Sequence, residues 1–275
     1  MAEVQIDLSL VNDYQDKYVA FLDLLGFAAL VDKAGGDVLE RHRVVEALKL
    51  VRDTLTQDPK IDFRFTYFSD CIVLSAVKTP HALWAMFQAI ELLTFNLLQY
   101  DIFVRGGLTS GMLHHSDDFV FGTAMTEAYH LERDHADGPL VLASKTILKD
   151  ATELGADFTQ WLRQDGSDRF FVDYLMRYAE YKQERLPGTV VLTYPAARIA
   201  YFVSKRLCND EERILQKAEW FQRYWNSRVA TQGFLPEIVA DATLELSDDG
   251  PTIIFRRLVA PVISLNVSKT PRSEA

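Results

Sequence analysis

Cysteine, positive charge and long apolar runs are scarce in this sequence of 275 residues, and each scarcity narrows what the protein can be. Its two cysteines, Cys71 and Cys208, lie far apart without metal-ligand spacing, which indicates a reducing cytoplasm and two buried thiols. The net charge of −10 argues against a broad surface for nucleic acid or an anionic membrane. No uncharged apolar run reaches the roughly 18 residues of a membrane helix. Because the acidic N-terminus also lacks signal-peptide features, we expect a soluble cytoplasmic protein without a nucleic-acid or membrane partner.

Against this background, two isolated carboxylates stand inside apolar, strand-like runs. Asp23 lies in YVAFLDLLGF, residues 18–27, and Asp70 lies in FRFTYFSDCIVLS, residues 63–75. A lone aspartate in such a strand is costly to bury unless it is paired, hydrogen-bonded or bound to a metal. Two of them at strand–turn junctions suggest a shared Mg²⁺ or Mn²⁺, ions that combine carboxylates with substrate phosphates. The alternative for Asp23 is a simple helix cap.

The segment that follows Asp23 predicts a phosphate-binding turn. Its strand breaks at Gly26 into a helical pattern, so the backbone amides from Leu24 to Phe27 would lie at the start of a helix. Free amides at a helix N-terminus are a common site for phosphate. A substrate whose phosphates bind both the metal and this turn is therefore predicted.

The apolar periodicity predicts the element order β-α-β-β-α-β over the first part of the chain. This is the order of the ferredoxin-like α+β fold, in which two helices pack on one face of an antiparallel sheet. The predicted strands cover residues 18–23, 61–68, 71–77 and 102–109, and the predicted helices cover residues 28–33, 38–56 and 80–99. Further on, the pattern predicts a hairpin over 114–121, a helix over 123–135, a strand over 140–143, a strand over 170–175, a helix after Asn209 and a hairpin over 243–258. Asp37, Ser144 and Asn209 are the predicted caps of the helices that follow them.

Taken together, these segments resemble a known family, the class III nucleotidyl cyclases, over about residues 17–150. FLDLLGF and FSDCIVLS are similar to the family's two metal-binding segments, and VRGGLTSG to the strand that follows them. FGTAMTEAYHLE is similar to its catalytic helix, and LVLASKTI to the strand and short helix that close the domain. Five pieces in the family's order are more specific than any one of them.

The resemblance implies a cyclase catalytic core at residues 1–155 and a C-terminal α/β extension, residues 156–275, packed on it. It implies that Asp23 and Asp70 bind two Mn²⁺ or Mg²⁺ ions per active site, with the Leu24 carbonyl as a further ligand. It also implies a head-to-tail homodimer in which each chain supplies part of both active sites. In the implied reaction the ribose 3′-hydroxyl attacks the α-phosphate. Pyrophosphate is the leaving group, and a 3′,5′-cyclic nucleotide is the product.

Four positions depart from the purine cyclases of this family. Thr66 stands where those enzymes carry a base-reading Lys or Glu, and Phe119 stands where they carry a second base-reading polar residue. By spacing, Thr126 and His130 replace the transition-state Asn and Arg of the catalytic helix. These departures leave two explanations: a cyclase for another base, or a silent cyclase-like protein.

We favour another base because both metal carboxylates are kept. The chain is similar to the bacterial pyrimidine cyclases of the Pycsar anti-phage systems, which implies cyclic UMP or cyclic CMP, made from UTP or CTP, as a signal to a separate effector. Bulky aromatics near the purine-reading positions would narrow the pocket toward a one-ring base. The alternatives are a purine cyclase and a silent nucleotide-binding scaffold. The expected substrate-binding residues are Phe21, Leu25, Gly26, Phe27, Thr66, Tyr67, Phe119, Thr126 and Tyr129.

Other polar residues of the core have two interpretations each. Arg105 binds the triphosphate or a carboxylate of the catalytic site, or else forms an ordinary ion pair. His130 stabilises the transition state, or is simply exposed. Tyr129 and Glu132 share a helix face that contacts the base or the dimer partner. His114 and His115 point to opposite faces of a strand, so we expect an exposed turn rather than a metal site.

The aromatics Trp220, Phe221, Tyr224 and Trp225 of the C-terminal helix are expected in the core, with a dimer contact or a sensor surface as the alternative.

Overall fold

A computed structural model describes residues 14–166, 168–176, 190–229, 238, 243–246 and 253–256. The chain divides into two compact units. The first comprises Met1–Leu97 with Ile102–Tyr174, and the second comprises Leu98–Asp101 with Leu175–Ala275. Among the described residues, no helix combines the length and the apolarity that a membrane span requires.

The first unit begins with the predicted ferredoxin-like order of elements. Its elements are β1 (Gln15–Leu25), α1 (Phe27–Gly36), α2 (Val38–Thr54), β2 (Arg64–Phe68), β3 (Cys71–Val77), α3 (Pro80–Leu98) and β4 (Phe103–His115). The strands lie in the order β2-β3-β1-β4, and each neighbouring pair is antiparallel. That order and direction confirm the predicted α+β fold, with β1 and β3 in the centre.

The sheet continues beyond β4. The next elements are β5 (Val120–Phe121), α4 (Thr123–His130) with a π-helical turn over Leu131–His135, β6 (Val141–Ala143), α5 (Lys145–Leu154), α6 (Ala156–Thr159), β7 (Leu162–Gln164) and β8 (Phe170–Val172). β6 adds in parallel to β4, and β8 and β7 follow it. Because β7 and β8 complete this sheet, the first unit runs to Tyr174, past the expected boundary at residue 155.

Predicted caps begin two of the helices. The Asp37 carboxylate accepts from the backbone N–H groups of Leu39 and Glu40 at 2.7 and 3.4 Å, which starts α2. The Ser144 hydroxyl accepts from the Ile147 N–H at 3.3 Å and starts α5. Such caps stabilise the start of a helix because the capping side chain accepts from a backbone N–H that has no partner within the helix.

α4 lies close against one face of the sheet. Its Ala124 and Ala128 pack with Val19, Phe21, Val73 and Leu113 in one buried cluster. A Cβ added to Gly107 would lie 2.3 Å from the Ala128 carbonyl oxygen, so glycine is what permits this approach. The approach sets the C-terminal end of α4 beside the end of β1, where Asp23 stands.

The second unit contains α7 (Val190–Leu207), α8 (Glu212–Val229) and the antiparallel pair β9 (Thr243–Leu246) and β10 (Ile253–Arg256). The predicted helix after Asn209 and the predicted hairpin are confirmed, although the turn of the hairpin lies outside the described residues. The Asn209 side-chain oxygen accepts from the Glu211 N–H at 2.8 Å in the turn just before α8, so the predicted cap at Asn209 does not reach a helical amide. Phe221, Tyr224 and Trp225 are buried, as expected for core aromatics, whereas Trp220, also expected in the core, is only partly buried. α7 was not predicted.

Two expectations about buried and exposed side chains were wrong. Cys208 is exposed and Cys71 partly exposed, whereas both thiols were expected in the interior. His114 and His115 are buried at the end of β4 rather than in an exposed turn. The turn itself begins one residue later, where the Ser116 N–H donates to the Phe119 carbonyl at 2.9 Å.

Candidate active site

Asp23 lies on β1 between two cross-strand neighbours. It pairs in register with Cys71 of β3 and with Arg105 of β4. Side chains directly opposite on neighbouring strands share a face of the sheet, so these three project together. Phe21, two residues earlier on β1, projects from the same face.

Asp70 is brought to the same place by a tight turn. Ser69 has a left-handed φ of 56°, which lets β2 and β3 join through Ser69 and Asp70 with Phe68 opposite Cys71. The Leu24 N–H donates to the Asp70 carbonyl at 2.8 Å and fixes this turn beside the end of β1. Because this hydrogen bond occupies the Leu24 N–H, the expectation that the Leu24 amide helps to bind phosphate was wrong.

Asp23, Asp70 and Cys71 offer ligand atoms that all lie within 4.8 Å of one another, and each side chain is partly buried. The Cys71 thiol lies 3.8 Å from an Asp70 oxygen. Burial and the Asp70 and Asp23 carboxylates raise the pKa of the Cys71 thiol to about 11. Carboxylate oxygens are the ligands that hard cations such as Mg²⁺ or Mn²⁺ prefer, so Asp23 and Asp70 fit an ion of this kind.

Arg105 links Asp23 to a third carboxylate. Its Nη2 lies 3.4 Å from an Asp23 oxygen and also forms an ion pair with Glu132. The Glu132 side chain is only 4% exposed, and burial raises its pKa, while Arg105 acts in the opposite direction. The Arg105 partners are therefore acidic side chains, one of them a predicted metal ligand. The sequence interpretation missed Glu132 as a member of this cluster, although it lies three residues after Tyr129 on the same helix face.

The turn between β1 and α1 supplies backbone groups rather than side chains. Leu25 and Phe27 are buried, and Gly26 between them is exposed with a φ of 82°. The left-handed Gly26 ends β1 and starts α1 within one residue. Since the amides of a first helical turn have no partner inside the helix, this end of α1 presents donors three residues after Asp23.

On α4, the predicted catalytic residues face outward. The Thr126 hydroxyl donates to the Gly122 carbonyl at 3.4 Å. Tyr129 packs edge-on against Phe21, with ring centroids 5.5 Å apart. The His130 side chain is 47% exposed, and its Nδ1 lies 3.1 Å from an Asp134 oxygen. His130 thus contacts its own helix, which agrees with the exposed alternative and leaves its ring accessible.

A small cavity lies along β2, at its end away from Asp70. It has a volume of about 250 Å³, and Thr66, Tyr67, Arg64, His115 and Ser116 are among its lining residues. His115 joins Thr66 to the sheet: its Nε2 lies 3.0 Å from the Thr66 hydroxyl, and its Nδ1 lies 2.8 Å from that of Ser75. Phe119 is 65% exposed in the neighbouring turn. His115 was not among the predicted site residues.

Comparisons with known proteins add little to this description. No family model matches the chain, and no curated protein matches it. Among solved structures, it is similar to the adenylyl cyclase CyaB from P. aeruginosa at 12% sequence identity, with a TM-score of 0.41. The match covers 57% of this chain and 93% of that one. The fold assignment above therefore rests on the strand order and register of the chain itself.

Proposed function

We propose that this protein is a metal-dependent nucleotidyl cyclase, which converts a nucleoside triphosphate into its 3′,5′-cyclic monophosphate and pyrophosphate. The observation that carries the proposal is the convergence of Asp23 and Asp70 within 4.8 Å at the end of β1. α1 begins immediately after, with the exposed Gly26 at its start. A pair of carboxylates beside free helix amides suits a metal-bound triphosphate.

In the proposed site, Asp23 and Asp70 hold two Mn²⁺ or Mg²⁺ ions, with the Leu24 carbonyl as a further ligand. Such ions lower the pKa of an attacking hydroxyl and neutralise charge on a leaving pyrophosphate. The amides after Gly26 bind phosphate oxygens. Arg105, shared between Asp23 and Glu132, keeps the Asp23 carboxylate oriented and partly neutralised until substrate arrives.

The base that we propose is a pyrimidine, which makes UTP the first candidate substrate and CTP the second. Two observations support it. Thr66, at the position where purine cyclases carry a longer base-reading residue, opens on a cavity of about 250 Å³, which is small beside ordinary ligand pockets. Tyr67 lines the same cavity.

The biological role follows as part of the same proposal. The product would be a second messenger in anti-phage defence that activates a separate effector, and the enzyme would be a homodimer with composite active sites. A silent nucleotide-binding scaffold is the second candidate. It is favoured by the Thr126 and His130 side chains, which bond within their own helix.

The test is to incubate the full chain with each of the four nucleoside triphosphates and Mn²⁺, and to identify products by mass spectrometry. A cyclic pyrimidine monophosphate that Asp23→Asn and Asp70→Asn both abolish would support the proposal. Asp157→Asn, at an exposed position of α6, is the matched control and should retain activity. A cyclic purine nucleotide would contradict the pyrimidine assignment. Nucleotide binding without any product would favour the scaffold.

A further inference from the structure

The turn between α3 and β4 has an aspartate where a helix end favours another residue. Asp101 has a left-handed φ of 62°. Its N–H donates to the Leu98 carbonyl at 3.1 Å, and the Ile102 N–H donates to the Leu97 carbonyl at 3.1 Å. These are the hydrogen bonds of a Schellman motif, in which the left-handed residue is usually glycine. A carboxylate there also lies near the negative end of the helix dipole, and the last turn of α3 contains no basic residue.

Arg206, in the last turn of α7, offsets both costs. Its Nε donates to Asp101 Oδ1 at 2.6 Å, and its Nη2 donates to the Asp101 backbone carbonyl at 2.7 Å. The two side chains are mostly buried, at 17% and 22% exposure. A planar guanidinium that binds the side chain and the backbone of one residue fixes its orientation. The contact with Arg206 therefore accounts for an aspartate that the end of α3 disfavours.

From this turn the chain passes directly into the candidate active site. β4 begins at Phe103, two residues after Asp101. Arg105 then pairs in register with Asp23 of β1, and its Nη2 lies 3.4 Å from an Asp23 oxygen. Phe103 to Arg105 form the end of the β1–β4 ladder, whereas β6 pairs with β4 from Gly106 onward. Because the ends of a ladder open more easily than its centre, the position of Arg105 depends on the preceding turn as well as on β1.

Asp101 and Arg206 both belong to the second compact unit, whereas Arg105 and Asp23 belong to the first. We propose that Arg206 is a positioning residue, which holds Asp101 and thereby keeps Arg105 against Asp23 at the start of β4. The link between the contact and the site is the chain itself, over four residues. This inference rests on the proposed function and deepens it, because it gives the second unit a role in turnover at that site.

Asp101→Gly distinguishes positioning from simple stabilisation. Glycine suits the left-handed position, so the turn should form and the free energy of unfolding should change little. The Oδ1 acceptor for Arg206 is lost, however. At saturating Mn²⁺ and substrate, kcat should fall about tenfold with KM little changed, since small misplacements in an active site lower the rate steeply. Asp101→Asn, which tolerates the same φ and keeps an oxygen acceptor, should retain most of the wild-type kcat.

Arg206→Met tests the same contact from its other side. It should lower kcat at least as much as Asp101→Gly, because it also removes the hydrogen bond to the Asp101 carbonyl. Arg213→Met, at an exposed position of α8, is the matched control and should keep the wild-type kcat. In an Arg105→Lys background, which keeps a cation beside Glu132, Arg206→Met should change kcat by less than about twofold, since its effect passes through Arg105. Urea titration of each variant gives the folded fraction.

A measurement without nucleotide separates this inference from the proposed function. Amide hydrogen exchange over residues 102–106, followed by mass spectrometry, should be faster in Asp101→Gly and Arg206→Met than in the wild type. Unchanged exchange there would overturn the inference while the cyclase proposal stands. Faster exchange with an unchanged kcat would also overturn it, as would an equal loss of kcat from Arg206→Met in the wild-type and Arg105→Lys backgrounds. If the wild type forms no cyclic product, the cyclase proposal fails, and the exchange result alone decides whether Arg206 positions the start of β4.

Discussion

At the scale of single residues, the arrangement around Arg105 is unusual because one cation serves two carboxylates of different burial. Asp23 is 21% exposed, and the Glu132 side chain is 4% exposed. If a metal ion bound Asp23 as proposed, Arg105 would retain Glu132 as a partner. The cluster could then accept a cation at Asp23 without leaving a buried charge unpaired.

Arg105→Met should be strongly destabilising because it leaves Glu132 buried without its cation. We expect a loss of about 3 kcal/mol in the free energy of unfolding at pH 8, measured by urea titration. Burial already raises the pKa of Glu132, and loss of Arg105 raises it further. A carboxyl group whose pKa is raised in the folded state costs no stability at low pH, where it is protonated in both states; it destabilises the fold as the pH rises through its folded-state pKa. The free energy of unfolding that Arg105→Met loses should therefore be smaller at pH 5 than at pH 8.

The double variant Arg105→Met/Glu132→Met is the control for this effect. It replaces the buried pair with apolar side chains of similar size, and such replacements are often close to neutral. It should recover most of the stability lost in Arg105→Met. A double variant as unstable as the single one would mean that packing around Arg105, rather than the Glu132 charge, explains the loss.

At the scale of elements, local signals predicted much of the fold. The caps at Asp37 and Ser144 and the tight turn at Ser69 and Asp70 were evident because each depends on residues a few positions apart. β1 and β3 were evident as apolar runs. The position of Asp70 beside Asp23 followed once the ferredoxin-like order was assumed, since the central hairpin then meets the end of β1.

What the sequence left open depends on distant contacts. The π-helical turn over Leu131–His135 turns Glu132 into the sheet, yet LERDH has no local signature of that turn. His115 is buried because β4 extends far enough to meet Ser75 and Thr66, which lie 40 and 49 residues away along the chain. β7 has three residues, too short for a periodic pattern, whereas β8 lies within the strand predicted over 170–175.

The packing of α4 on the sheet gives the prediction at this scale. In Gly107→Ala the new methyl would lie 2.3 Å from the Ala128 carbonyl and 2.6 Å from Leu131 Cβ, so α4 must move outward. We expect a loss of about 1–3 kcal/mol in the free energy of unfolding, as for other overpacked sites. Catalytic turnover should fall further than stability alone explains, because Glu132 moves with the helix.

Gly35→Ala provides the matched comparison, since a Cβ there meets nothing within 4 Å and the position is helical in α1. Its stability should be equal to or slightly above that of the wild type. Both variants can be compared by urea titration together with product formation under saturating Mn²⁺. Equal stability of Gly107→Ala and Gly35→Ala would contradict the close approach of α4.

At the scale of the whole molecule, the proposed site divides into two groups of residues. The metal-binding group is Asp23 and Asp70, and the α4 group is Tyr129 and His130, whose side chains are exposed. In the proposed head-to-tail homodimer, one chain supplies the first group and its partner supplies the second. Two inactive variants, each altered in a different group, should then regain activity when they form a mixed dimer.

Mixing Asp23→Asn with Tyr129→Ala/His130→Ala tests this arrangement, after each variant has been shown to be inactive alone. When subunits exchange freely in an equal mixture, half of the dimers are mixed, and each mixed dimer contains one undamaged composite site. About a quarter of the wild-type activity should therefore return. The recovery should depend on subunit exchange and disappear when the two variants are kept apart by dialysis membranes. A site built within one chain predicts no recovery at any mixing ratio, because every site would then carry a damaged group.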